Sequence, residues 1–98
     1  MKRKKRAARD CAVALRYREK RDASPRVVAK GEGVIAQKIR ETALEHHIPI
    51  HRDDGLVELL AQVELDREIP PELYASVAEV LAWIFRANDD ARKGIFTR

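Results

Sequence analysis

The chain has 98 residues and a formal net charge of +4, enough length for one domain and too little for two. Apolar residues make up 45% and aromatics 5%, so the core is small and built from Val, Leu, Ile and Ala; no apolar run approaches the roughly 20 residues of a membrane span. The opening Met1-Lys2-Arg3-Lys4-Lys5-Arg6 lacks the apolar stretch of a secretory signal, and a single cysteine, Cys11, fits a reducing compartment, so the chain reads as cytosolic.

Charge divides the chain. Residues 1–30 carry twelve Lys/Arg against three Asp/Glu, and the remainder carries eight against thirteen. A basic arm over 1–10, without apolar periodicity, therefore precedes an acidic body over 11–87. Such an arm meets nucleic acid, meets an anionic membrane or stays solvated, and composition leaves all three open.

Residues 11–17 begin apolar and then alternate, with Val13, Leu15 and Tyr17 on one side, which predicts a strand. A charged loop follows to Ser24. Pro25 opens a second short strand, where Val27 and Val28 supply β-branched side chains, and Lys30-Gly31-Glu32-Gly33 turns the chain. Residues 34–47 read as a helix with Ile35, Ile39 and Thr42/Ala43 inward and Lys38, Arg40, Glu41 and Glu45 outward. Pro49 stops that helix and starts a third strand over 48–51. A strand–helix–strand succession predicts that strands two and three lie side by side and parallel. Asp53 and Asp54 start a second helix, whose stripe is Leu56, Leu59, Leu60 and Val63. Pro70-Pro71 opens the last helix, with Leu73, Val77, Val80, Leu81 and Ile84 as its inner stripe. Residues 88–98 are polar and read as a flexible, frayed tail. The order β-β-α-β-α-α predicts a small mixed α/β sheet packed by helices.

No enzyme signature stands out. His46 and His47 end a helix, Pro49 separates them from His51, and no cysteine pair accompanies them, so no metal or cofactor site is expected. Cys11 sits within a strand and reads as a small buried apolar residue. The Lys30–Gly33 turn lacks the spacing and Lys-Ser/Thr ending of a phosphate loop. Glu58, Glu64, Glu72 and Glu79 fall on polar helix faces, and nothing pairs them for acid–base work.

Three segments in register carry a resemblance. Cys11-Ala12-Val13-Ala14-Leu15-Arg16-Tyr17 and Ser24-Pro25-Arg26-Val27-Val28-Ala29-Lys30-Gly31 are followed by Glu68-Ile69-Pro70-Pro71-Glu72-Leu73-Tyr74. The last runs on through Val77-Ala78-Glu79-Val80-Leu81-Ala82-Trp83. Together they resemble the cytoplasmic C-terminal domain of the FlhB/YscU export-switch family of type III secretion, which includes HrcU, SpaS and EscU. That family cuts itself in an Asn-Pro-Thr-His turn, where the Asn side chain attacks its own carbonyl. The aligned residues here are Ala7, Ala8, Arg9 and Asp10; Ala7 has no amide nucleophile, so the resemblance implies a domain without self-cleavage. The chain looks like the fragment that cleavage releases, in ready-made form and without the family's membrane-spanning half. Asp53-Asp54-Gly55 departs from the family's Pro-containing start of the second helix.

The resemblance further implies a non-enzymatic module that binds the membrane half of an FlhB-like protein, an FlhA-like cytoplasmic domain and export substrates. Its implied substrate patch is Ser24, Pro25, Ala78 and Leu81, where Ser24 replaces an alanine. The alternative, that Ala78 and Leu81 are core only, stands beside it. Lys2, Arg3, Lys4, Lys5 and Arg6 match the membrane-proximal linker and imply a peripheral contact at the inner face of the cytoplasmic membrane. The competing class is a small basic nucleic-acid-binding protein, supported by the arm and a pI of about 9.5. The acidic balance of the body counts against it.

Overall fold

The computed structural model describes residues 10–18, 22–87 and 93–98. Four strands, β1 (Cys11–Arg16), β2 (Arg26–Glu32), β3 (Ile50–Arg52) and β4 (Lys93–Thr97), form one sheet in the order β2-β1-β4-β3. Three helices among the described residues pack on it: α1 (Val34–Glu45), α2 (Asp54–Leu60) and α3 (Tyr74–Ala87), the last entered through a 3-10 turn, Pro71–Leu73. This is the small mixed α/β sheet packed by helices that the sequence implies.

The unbroken apolar run from Cys11 to Leu15 has a simple cause, since β1 is buried on both faces. On one face Val13 and Leu15 join Val27, Phe96 and the inner sides of α2 and α3. On the other, Ala12 and Ala14 join Ile95, Ala36 and Ala43 beneath α1. Small side chains on that face let the helix lie close to the sheet.

The structure corrects two expectations at once. β1 pairs antiparallel with both β2 and β4, and β3 pairs parallel with β4. β2 and β3 therefore point the same way across α1, but they are not neighbours; β1 and β4 lie between them. The parallel partner of β3 is the segment read as a frayed tail. Residues 94–97 hold only two large apolar side chains, too few to register as a period. Both are nonetheless buried, Ile95 against α1 and Phe96 in the opposite core.

Smaller corrections follow from local geometry. β2 runs on through Lys30 to Glu32, where Gly31 pairs with Ala12 and Glu32 with Cys11. Gly31 answers a close approach and not a turn, because a Cβ there would stand 2.2 Å from Cγ2 of Ile35. Gly33 makes the turn, with φ +60°. Ile35 itself is 59% exposed, and the buried positions of α1 are Ala36 and Ala43. His47 N–H donates to the Leu44 carbonyl and Ile48 N–H to that of Ala43, a Schellman closure with His47 at φ 56°. Asp53 caps α2 by accepting from Leu56 N–H at 3.0 Å. On α2 Val57 is buried where Leu59 was expected, and Leu59 is 49% exposed. Leu73 in the 3-10 turn and Val77 and Leu81 on α3 keep their inward places, Val80 packs partly buried against them, and the side chain of Ile84 lies outside the described residues.

Candidate functional site

The loop before β2 is held by charge. Asp22, buried among its neighbours, accepts from Arg18 N–H at 3.0 Å and from Arg26 Nε at 3.2 Å. Burial pushes its carboxyl up, but the Arg18 amide, the Arg26 hydrogen bond and the two guanidinium charges outweigh that, and hold it below the usual carboxylate range. Ser24 Oγ donates to Glu68 Oε1 at 3.3 Å, and Arg26 reaches the Asp66 carbonyl at 2.8 Å.

These bonds tie residues 66–69 along the outer edge of β2. Val27 N–H donates to the Arg67 carbonyl, Asp66 N–H to that of Val27, and Ile69 N–H to that of Pro25. Pro25 is thereby fixed beside Ile69, and the chain then turns through Pro71 into α3. The result is a cavity of about 330 Å³ between the 22–25 loop and α3. Fully buried Ile69 and Val77 close its base, while Tyr74, Ala78 and Ala82 are exposed at its mouth. Among the described residues, no charged one lines it.

All four residues of the implied substrate patch meet there. Ser24 and Pro25 form one wall, and Ala78 and Leu81 belong to the other. The two helical residues divide the alternatives between them: Leu81 is also part of the core, 6% exposed, whereas Ala78 is exposed. Tyr17, Ile69, Tyr74, Val77 and Ala82 line the cavity too and were not singled out from the sequence. The signal was present in part, since 74, 78 and 82 recur at the four-residue spacing of one helix face.

The remaining candidates lie elsewhere. Ala7, Ala8, Arg9 and the basic residues Lys2, Arg3, Lys4, Lys5 and Arg6 fall outside the described residues. Asp10 is described, and its carboxylate is bound through both oxygens. They accept from Arg40, each at 2.6 Å, and Arg40 also reaches Thr97 Oγ1 at 3.3 Å. The Arg40 hydrogen bonds, with the Arg40 charge and the Cys11 amide, outweigh the opposing effect of burial and hold the Asp10 carboxyl below its ordinary range. Arg40 was expected to face water; it ties α1 to the start of β1 and the end of β4 instead. His46 and His47 are exposed at the close of α1, and His51 stands edge-on to Phe96 with ring centroids 5.8 Å apart. The described residues hold no cluster of three or more His, Cys, Asp or Glu able to ligate a metal. Burial raises the Cys11 thiol pKa, which makes it a poor nucleophile.

Residues 8–84 match the model of the FlhB HrpN YscU SpaS family. The chain belongs to that family. Among its FlhB-family relatives, the flagellar biosynthetic protein FlhB of Yersinia enterocolitica is 44% identical over 84 residues, covering 85% of this chain and 22% of that one. The chain thus spans about a fifth of the length of the FlhB proteins it matches. YlqH of Bacillus subtilis is 40% identical over 81 residues, covering 83% of this chain and 87% of that one. The crystal structure of the cytoplasmic domain of FlhB from Shewanella putrefaciens superposes with a TM-score of 0.75 at 42% identity, over 79% of this chain and 65% of that one. The PscU C-terminal domain gives 0.70 at 34% identity, over 74% and 94%. No helix among the described residues is long and apolar enough to cross a membrane.

Proposed function

We propose that this FlhB-family chain is a cleavage-independent counterpart of the export-switch domain, a non-enzymatic module that docks on the type III export apparatus. On this reading its partners are the membrane half of an FlhB-like protein, an FlhA-like cytoplasmic domain and export substrates. The observation that carries the reading is the open-mouthed cavity of Ser24, Pro25, Ala78 and Leu81, whose lining among the described residues carries no charge. It lies within the stretch shared with the family. An apolar side chain buried there contributes about 1.5–3 kcal/mol, which suits weak and reversible capture of passing chains. Ala7, lacking a side-chain amide, supports independence from self-cleavage.

The basic arm adds a second, softer contact. Each Lys or Arg near an anionic leaflet contributes about 1 kcal/mol, so the five from Lys2 to Arg6 give a peripheral attachment that salt weakens. Flotation with phosphatidylglycerol vesicles should fall steeply between low and physiological salt; salt-independent flotation would exclude this mechanism.

The docking reading is tested by co-purification with the membrane half of an FlhB-like protein and by titration with apolar segments of exported proteins. Ala78→Asp, at an exposed position, should leave the thermal midpoint unchanged and weaken substrate-segment binding by at least about tenfold. Unchanged binding by this folded variant would remove the cavity from the account. A chain mass that stays whole on long incubation is the matching expectation for Ala7.

A further inference from the structure

A second apolar cavity opens on the opposite face of the sheet, beside α1. Its volume is about 350 Å³, and Ala14, Val28, Ile39, Ala43, Ile48 and Ile95 supply its apolar wall. The cavity exists because the residues under α1 are mostly alanines, which leave space toward the end of β1.

The charge at its mouth is one-sided. Arg16, Lys38 and Lys93 line it, and among the described residues no acidic one does. Arg16 and Lys93 are direct cross-strand partners, and Arg16 also stands opposite Arg26 on its other side. Like charges placed directly opposite in a sheet are destabilising. Arg26 is compensated by Asp22 and Glu68. Arg16, Lys38 and Lys93 form no ion pair among the described residues, and Arg16 Nε is buried without a hydrogen-bond partner. Three uncompensated cations around an apolar opening match a ligand with an apolar anchor and adjacent negative charge.

We propose that this face docks an acidic protein segment, in which Asp or Glu residues flank one or two large apolar side chains. The size of the cavity suits a few side chains, near the lower end of the roughly 300–1,000 Å³ of ligand pockets. A flat anionic membrane is the poorer match, because the apolar wall is a recess between α1 and the sheet, which a protruding side chain fills and a bilayer surface does not. The segment is held by charge at the rim and by burial of its anchor between α1 and the sheet. With the cavity beside α3 on the other face, the domain becomes a two-sided adaptor. This second site does not depend on the first.

The test is selection from an oriented peptide pool, with one fixed Leu or Phe and randomised flanks, on the full chain and on a Lys38→Glu, Lys93→Glu double variant. Both substituted positions are exposed, and circular dichroism checks that the variant is folded. The wild type should enrich Asp and Glu beside the anchor. A selected peptide should shift the amides of Arg16, Lys38 and Thr42 and leave those of Tyr74 and Ala78 in place. Its affinity should fall about tenfold in the folded double variant and also with added salt. Absence of acidic enrichment overturns the proposal, as does equal affinity for the double variant. Binding to phosphatidylglycerol vesicles that the variant loses, with no peptide selected, assigns the face to lipid and overturns it as well.

Discussion

Asp10 shows how a residue changes meaning with its surroundings. In sequence it occupies the last place of a degenerate cleavage turn; in the fold it is one half of a two-pronged bond to Arg40. Its partner lies 30 residues away, so no local pattern announces it. Arg40 in turn touches Thr97, whose hydroxyl donates to the Cys11 carbonyl. The carboxyls of Asp10 and Asp22 are both held below their ordinary values, so the folded state binds fewer protons than the unfolded chain in the acid range. Stability should therefore be intact above the ordinary carboxylate pKa, near 4, and decline as pH falls through the lowered values. Urea midpoints from pH 5 to pH 2 measure this. An Asp10→Asn, Asp22→Asn variant should lose stability at pH 6 and show a flatter acid decline; an unchanged slope would contradict the assignment. The partial exposure of Asp10 keeps its own share small.

Among the elements, β4 carries most of what the sequence hid. Helix signals are local: Asp53 capping α2, the proline pair before α3, and the apolar stripe through Leu73, Val77 and Leu81 could all be read without the fold. Strand pairing is not local. The Gly-Ile-Phe-Thr of β4 gains its meaning only between β1 and β3, one near the start of the chain and the other at its middle. The parallel pair was foreseen, but its members were misassigned for the same reason. Phe96 is fully buried in the core beneath α2 and α3, so Phe96→Ala should cost about 3–5 kcal/mol. That is a large part of the roughly 5–15 kcal/mol of a typical domain, and chemical denaturation would show a much lower midpoint. A frayed tail would give almost no change. At the close of α1, His47 holds a left-handed conformation that glycine adopts without strain. His47→Gly should raise stability by about 0.5 kcal/mol, readable as a small rise in the same midpoint.

At the scale of the whole molecule, a single sheet separates two dissimilar faces. One is a core of large side chains beneath α2 and α3, and it opens into a cavity that no charged residue among those described lines. The other is packed with small residues beneath α1, and it opens into a cavity rimmed by cations. The family resemblance made Ser24, Pro25, Ala78 and Leu81 legible as a set, and the fold brings them to one cavity. It did not reveal the base formed by Ile69 and Val77, because that depends on the 66–69 segment crossing the edge of β2. Periodicity already separates the two helical members, since Leu81 falls in the inner stripe and serves the core, whereas Ala78 falls outside it and is exposed. Their substitutions should behave differently. Leu81→Ala should cost about 2–4 kcal/mol of stability, whereas Ala78→Asp should leave stability within about 0.5 kcal/mol.

The most direct measurement is a titration of isotopically labelled chain, wild type and Ala78→Asp, with an apolar segment from an exported protein of the same cell. The account predicts that amides of Ser24, Tyr74, Ala78 and Leu81 shift together in the wild type and stay still in the folded variant. Shifts that persist in Ala78→Asp, or that appear only outside these residues, would contradict it.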